Sequence, residues 1–128
     1  MKTKTLVFGA SLNPERYSNT AIHKLRANNY EVAAFGLRSG EVSGVIIETE
    51  LLSHDTIDTI TLYMNPKRQE AYYKYLLDLN PNRVVFNPGT ENQEFYNLLK
   101  NNNIDYEVAC TLVLLSTKQY GFNKKNPV

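Results

Sequence analysis

The sequence has 128 residues, of which 42% are hydrophobic and 21% charged, and its formal net charge is +1. That length suits one domain with a single core, and the near-neutral charge argues against nucleic acid or an anionic membrane as a partner. No apolar run approaches the roughly 18 residues that a membrane span needs. Cys110 is the only cysteine. We therefore expect a cytoplasmic protein without disulfides.

The first half of the chain alternates between strand and helix patterns. It predicts strands at Leu6–Phe8 and Tyr30–Phe35, a helix over Asn19–Asn29 with Ser18 as its cap, and a short extended piece at Val45–Ile47.

The second half continues the alternation. In chain order it predicts a strand at Ile57–Tyr63, a helix over Pro66–Leu79, a strand at Arg83–Phe86, a helix from the cap Thr90 to Asn101, a strand at Asp105–Val108, and a strand or helix at Leu112–Leu115.

This alternation through short connections is typical of α/β folds. We expect a Rossmann-like, doubly wound parallel sheet of about five strands with helices on both faces. One domain would span residues 1–122, and the polar residues 123–128 would form a loose C-terminal tail.

The loop after the first predicted strand is the first candidate for a ligand site, because ligands of open parallel sheets bind at the carboxyl ends of the strands. A glycine, hydroxyl groups and a helix start could hold a phosphate there, although an ordinary strand–helix turn would look similar. The candidate residues are Gly9, Ala10, Ser11, Asn13, Pro14, Arg16, Ser18 and Asn19.

Arg38 follows the second predicted strand, where NAD-binding domains place an acid for the ribose hydroxyls. An arginine cannot accept those hydroxyl protons, but it can pair with a phosphate on the ribose. Arg38 thus favours coenzyme A or NADP over NAD, unless it is simply a solvated surface residue.

The later strand exits carry further candidates, which ordinary turn chemistry would also explain. They are Tyr63, Met64 and Asn65, then Asn87, Pro88 and Gly89, and finally Cys110, which is more often a buried hydrophobe. Neither His23 nor His54 has a partner at metal-ligand spacing, so no metal or catalytic residue is assigned.

Taken together, these motifs resemble the small, single-domain CoA-binding protein family, which is similar to the CoA-binding N-terminal domain of the succinyl-CoA synthetase α subunit. The resemblance rests on five segments between residues 5 and 118: Gly9–Pro14 with Ser18, Arg38–Gly44, Asn65–Pro66, Asn87–Asn92 and Ala109–Thr111. It implies that CoA lies across the carboxyl edge of the sheet, with its pyrophosphate near Ser11 and its ribose phosphate or adenine near Arg38.

Three functions follow as hypotheses. The first is a protein that binds CoA or acyl-CoA without catalytic activity of its own. The second is an NADP-dependent reductase, for which Tyr63/Lys67, Tyr96/Lys100 and Tyr120/Lys124 match the Tyr-x-x-x-Lys pair. The third is an interaction protein whose Rossmann-type core has lost its ligand. A protein partner and the acyl group are not indicated.

Overall fold

The computed structural model describes residues 2–121. Its strands are β1 (Lys4–Ala10), β2 (Glu31–Gly36), β3 (Gly40–Val42), β4 (Val45–Glu48), β5 (Thr59–Leu62), β6 (Arg83–Phe86) and β7 (Asp105–Val108). Its α-helices are α1 (Tyr17–Ala27), α2 (Pro66–Gln69), α3 (Tyr73–Asp78), α4 (Gln93–Asn101) and α5 (Thr111–Ser116), with one 3₁₀ turn at Glu70–Tyr72. The predicted tail, residues 123–128, lies outside the described residues.

The strands form one sheet in the order β3-β4-β2-β1-β5-β6-β7. All neighbouring pairs are parallel except β3 and β4, which are antiparallel. From β1 the chain first builds outward through β2 to β4, and it then returns to the other side of β1 for β5, β6 and β7. The carboxyl ends of β1, β2, β5 and β6 therefore meet at one edge, where the direction of winding reverses.

Apolar side chains pack on both faces of the sheet, so each central strand alternates between two cores. On one face, Leu6 and Phe8 pack with residues of α3 and α4 such as Leu76 and Phe95. On the other face, Val7 packs with residues of α1 and α5. The central strands are buried on both sides, as expected of parallel sheets covered by helices.

The expected number of strands, about five, is wrong, because the sheet has seven. The two additional strands are β4, which was predicted only as a short extended piece, and β3, which was missed and is the antiparallel exception in a sheet predicted to be parallel. It joins β4 through a two-residue turn in which Ser43 has φ 51° and Gly44 has φ 80°. Two successive positive φ values define the type I′ turn that favours tight hairpins, and three-residue strands carry little periodicity.

Two predicted helix caps are also wrong. Helix α1 begins before Ser18, with Arg16 at the N-cap and no side-chain cap hydrogen bond. Helix α4 is capped by Asn92, whose Oδ1 accepts a 3.2 Å hydrogen bond from the backbone N of Phe95. Thr90 instead donates its hydroxyl to the backbone oxygen of Asn87 at 2.7 Å. Residue type alone did not identify the cap of α4, because the Thr90 hydroxyl has a local backbone partner in Asn87.

The remaining differences between the predicted and observed structure concern two helical segments. The predicted helix over residues 66–79 is interrupted by the 3₁₀ turn, so α2 and α3 are separate short helices. The segment left open at residues 112–115 is helical, within α5. No helix in residues 2–121 is long and apolar enough to cross a membrane.

The opposite edge of the sheet, at the amino ends of the strands, is closed by Tyr120. Its hydroxyl shares a 2.6 Å hydrogen bond with the hydroxyl of Thr5. Arg83 is also buried there. Its guanidinium donates to the backbone oxygen of Tyr120 at 2.9 Å and lies 3.2 Å from Glu107. These contacts fill the amino edge with protein, so the open edge is the carboxyl one.

Candidate functional site

A cleft of about 840 Å³ opens at the carboxyl edge of the sheet. Twelve of the sixteen predicted residues line it: Gly9, Ala10, Ser11, Asn13, Arg16, Ser18, Arg38, Tyr63, Met64, Asn65, Pro88 and Gly89. They follow four different strands, so the fold brings together segments that are far apart in the sequence. Their role in binding a cofactor stays a prediction.

The loop between β1 and α1 is held in shape by its own polar groups. Ser11 Oγ accepts a 3.1 Å hydrogen bond from the backbone N of Asn13, and Asn13 Oδ1 accepts one of 2.9 Å from the backbone N of Glu15. The amide of Asn19 donates to the backbone oxygen of Ser11 at 2.9 Å, which ties the loop to α1. Asn19 thus supports the loop and does not line the cleft.

The start of α1 presents free backbone donors. Within residues 2–121 the N–H groups of Tyr17 and Ser18 have no acceptor, as is usual in the first turn of a helix. Both residues line the cleft. Free N–H groups at the positive end of a helix dipole form a favourable environment for an anion.

Three arginines and one acid line the cleft: Arg16, Arg38, Arg68 and Glu15. All four residues are exposed. None of the arginines belongs to the ion pairs within residues 2–121, which are Lys4–Glu31, Lys74–Asp78 and Arg83–Glu107. A chain whose net charge is only +1 thus concentrates unpaired positive charge at this edge.

The exits of β5 and β6 are joined by a buried polar residue, Gln69. Its side-chain amide donates to the backbone oxygens of Met64 at 2.9 Å and Thr90 at 2.8 Å. Its own oxygen accepts a 2.8 Å hydrogen bond from the amide of Asn92. Because both carbonyls belong to residues that line the cleft, Gln69 fixes the shape of this wall.

Four predicted residues are not on the cleft wall. Besides Asn19, these are Pro14, Asn87 and Cys110. The buried amide of Asn87 donates to Thr61 Oγ1 at 2.7 Å and to the backbone oxygen of Leu62 at 2.8 Å. Cys110 is half-buried and precedes α5. Its contact with a cofactor stays a prediction, as does that of Pro14 and Asn87.

Tyr63 lines the cleft, but its hydroxyl is buried and has no hydrogen-bond partner within residues 2–121. Burial raises the pKa of this hydroxyl to about 12, although the nearby hydroxyls of Thr61 and Thr111 lower it in part. Those two hydroxyls lie 2.8 Å apart and are bonded to each other. A proton donor or acceptor works best with a pKa near the working pH, so Tyr63 is badly suited to the reductase pair Tyr63/Lys67.

The other two Tyr-x-x-x-Lys pairs, Tyr96/Lys100 and Tyr120/Lys124, place no tyrosine hydroxyl in the cleft. Tyr96 is buried away from it among aromatic residues, and burial raises its pKa. Tyr120 lies at the opposite edge, and Lys124 is outside the described residues. Within residues 2–121 no group of three or more histidine, cysteine or acidic side chains is arranged to hold a metal.

Sequence reasoning missed eight lining residues: Leu12, Glu15, Tyr17, Phe35, Gly36, Leu37, Arg68 and Thr90. Most adjoin predicted ones and could have been found by extending each loop. Arg68 is different, because it lies inside a predicted helix. The sequence could have indicated Arg68 because it lies in the first turn of the helix that begins at Asn65-Pro66. The first turn of a helix that follows a strand lies at the same edge of the sheet as the end of that strand.

Comparison with known proteins places these features in a family. The family model described as "CoA binding domain" matches residues 3–116. A crystal structure described as that of an uncharacterized protein is 41% identical, with a TM-score of 0.90, and the alignment covers 93% of this chain and 98% of the other. The sequence matches none of the curated proteins.

Two further solved structures share the fold at lower identity. One, described as cell-free ID.343 from Thermus thermophilus, is 23% identical with a TM-score of 0.80 over 92% of this chain and 90% of the other. A hypothetical protein from Pyrococcus horikoshii OT3 is 24% identical with a TM-score of 0.80 over 94% of this chain and 85% of the other.

Proposed function

This chain belongs to the CoA binding domain family, and from that premise we propose that its cleft binds coenzyme A or an acyl-CoA on a Rossmann-like fold. The proposal is carried by one observation: a single cleft at the carboxyl edge of the sheet holds helix N–H groups and three arginines that have no partner within residues 2–121. A ligand with phosphates at two separate positions suits that arrangement.

The pyrophosphate of CoA fits the loop between β1 and α1. The free N–H groups of Tyr17 and Ser18 would donate to its oxygens, and Arg16 at the N-cap would pair with its charge. Ser11, already fixed by its contact with Asn13, adds a hydroxyl beside them. This loop is therefore our proposed phosphate-binding loop.

Arg38 fits the ribose phosphate. It follows β2, on the far side of β1 from β5, and its exposed guanidinium has no ion-pair partner within residues 2–121. We propose that the protein acts as a binding module in the cytoplasm and not as a catalyst, since Tyr63, the tyrosine of the cleft that belongs to a predicted reductase pair, is badly suited to proton transfer.

Calorimetric titration with CoA, acetyl-CoA, NADPH and NADH tests this proposal. We expect CoA and acetyl-CoA to bind, and the two nicotinamide nucleotides to bind far more weakly. NADPH also carries a ribose phosphate, so it shows whether the cleft distinguishes CoA from another nucleotide with that phosphate. Selective binding of NADPH, or the absence of binding by all four compounds, would refute the proposal.

A further inference from the structure

Arg68 lies on the opposite side of the cleft from Arg38. Arg38 follows β2 and Arg68 follows β5, and these strands flank β1 in the sheet. The loop that we assign to the pyrophosphate follows β1 and lies between them. A ligand that has its ribose phosphate at Arg38 and its pyrophosphate at this loop would therefore extend its other end towards β5 and β6.

The backbone that carries Arg68 is held by hydrogen bonds on both sides of the residue. Asn65 Oδ1 accepts a 2.9 Å hydrogen bond from the backbone N of Arg68. The next residue, Gln69, is fully buried and bonded to the backbone oxygens of Met64 and Thr90. The base of the Arg68 side chain is thus fixed relative to the exits of both β5 and β6.

The guanidinium of Arg68 forms no ion pair in the part of the chain that the structure describes. It also takes part in no side-chain hydrogen bond within residues 2–121, and the only acid lining the cleft, Glu15, belongs to the loop after β1. Met64 and Gly89 line the same cleft. Position 89 borders open space, since a β-carbon there would have no heavy atom within 4 Å.

In the proposed CoA site, Arg16 pairs with the pyrophosphate and Arg38 with the ribose phosphate. Arg68 is left without an assigned ligand group. We propose that Arg68 binds a carboxylate on the acyl group, so that the preferred ligand is an acyl-CoA whose acyl chain ends in a carboxylate. This inference rests on the proposed binding of CoA in the cleft. Arginine suits the role because its planar fork pairs with both carboxylate oxygens.

Calorimetry with malonyl-CoA and isovaleryl-CoA tests the inference, because these acyl groups have nearly the same shape and differ in charge. Glutaryl-CoA extends the series to a longer acid. We expect the native protein to bind at least one of the two acids roughly tenfold more tightly than isovaleryl-CoA, as one charge-assisted pair would produce. In Arg68→Gln this preference should fall to about twofold or less, and Arg68→Lys should retain part of it.

Lys67→Gln is the matched control, because it removes one positive charge from the same turn at an exposed residue that does not line the cleft. It should keep the full preference. The inference is overturned if the native protein binds CoA but does not distinguish the acids from isovaleryl-CoA. It is also overturned if Arg68→Gln weakens all the thioesters and free CoA equally, since Arg68 would then contact a phosphate. Failure of CoA itself to bind would refute the proposed function as well.

Discussion

Gly9 packs so closely against the end of β5 that a β-carbon at this position would lie 3.0 Å from the carbonyl carbon of Tyr63. Gly9 also has φ +102°, which side-chain-bearing residues rarely adopt. The sequence suggested that this glycine makes room for a ligand, yet its nearest constraint is the neighbouring strand. The close approach of β1 and β5 forms the floor of the cleft.

Gly9→Ala should therefore destabilise the fold more than Gly89→Ala. Both glycines have positive φ, so each variant bears backbone strain of about 1–2 kcal/mol. Only position 9 adds a backbone clash, which we expect to cost about 1–3 kcal/mol more. Chemical denaturation of the two variants measures the difference. Equal free energies of unfolding would show that the contact with Tyr63 relaxes without cost.

Asn87 should matter for stability because its side chain connects three elements. Besides its two donated hydrogen bonds, Asn87 Oδ1 accepts a 2.8 Å hydrogen bond from the backbone N of Thr111 at the start of α5. Asn87→Ala would take this partner from the backbone oxygen of Leu62 and the backbone N of Thr111, and we expect a loss of about 3 kcal/mol. Asn82→Ala, which removes an exposed hydrogen bond to Asp58, is the control and should cost less than about 1 kcal/mol. A similar loss in both variants would contradict the connecting role.

Removing the buried hydroxyl of Tyr63 and removing that of Tyr120 should affect the stability of the fold differently. The Tyr63 hydroxyl is buried and has no partner in the part of the chain that the structure describes, so Tyr63→Phe should leave stability unchanged or raise it by up to about 1 kcal/mol. The Tyr120 hydroxyl is bonded to Thr5 at 2.6 Å, so Tyr120→Phe should lower stability by about 1 kcal/mol. Denaturation at neutral pH compares them, and an equal loss in both would mean that Tyr63 has a hidden partner.

The same tyrosines predict a loss of stability in alkali. Burial raises the pKa of both hydroxyls from 10.0 to about 12. The folded state therefore favours the neutral phenols. Their contribution to stability is complete below pH 10.0 and is lost as the pH rises towards about 12. In Tyr63→Phe the free energy of unfolding should fall less steeply over this range, and an unchanged slope would refute the assignment.

Arg38 should distinguish CoA from dephospho-CoA, which lacks the ribose phosphate. A charge-assisted contact is worth about 1.5–3 kcal/mol, so Arg38→Ala should weaken CoA by roughly 10- to 100-fold. Dephospho-CoA should bind the native protein and the variant about equally. If the variant still prefers CoA over dephospho-CoA as strongly as the native protein does, Arg38 is a solvated surface residue.

The sequence predicted the sheet best where burial is strongest. Runs such as Val84–Phe86 and Leu6–Phe8 are apolar on both faces, and they lie within β6 and β1. The hairpin strand β3 was missed because three residues show no period. The cap of α4 was missed in part because Asn92 is held in place by Gln69, 23 residues away in the sequence. Contacts between residues so far apart in the sequence cannot be predicted from residue spacing.

The cleft could be predicted in outline, because the carboxyl ends of parallel strands share an edge. The direction in which each side chain points could not be predicted. Asn87 has a polar side chain at a strand exit, yet it is turned inward to Thr61 and Leu62. Arg68 was overlooked inside a helix, although its backbone is fixed beside the cleft. Tertiary contacts decide which polar residues face a ligand and which support the fold.

The most direct test of the central claim, that this cleft binds CoA, is titration of CoA into native protein, Arg16→Glu and Lys24→Glu. Both variants reverse one exposed charge on or beside α1, but only Arg16 lines the cleft. A carboxylate at the helix N-terminus suits the helix dipole, so Arg16→Glu should stay folded. We predict that Arg16→Glu weakens CoA by at least about tenfold, and that Lys24→Glu changes the affinity by less than about threefold. If CoA binds both variants as tightly as the native protein, or does not bind the native protein, the account is wrong.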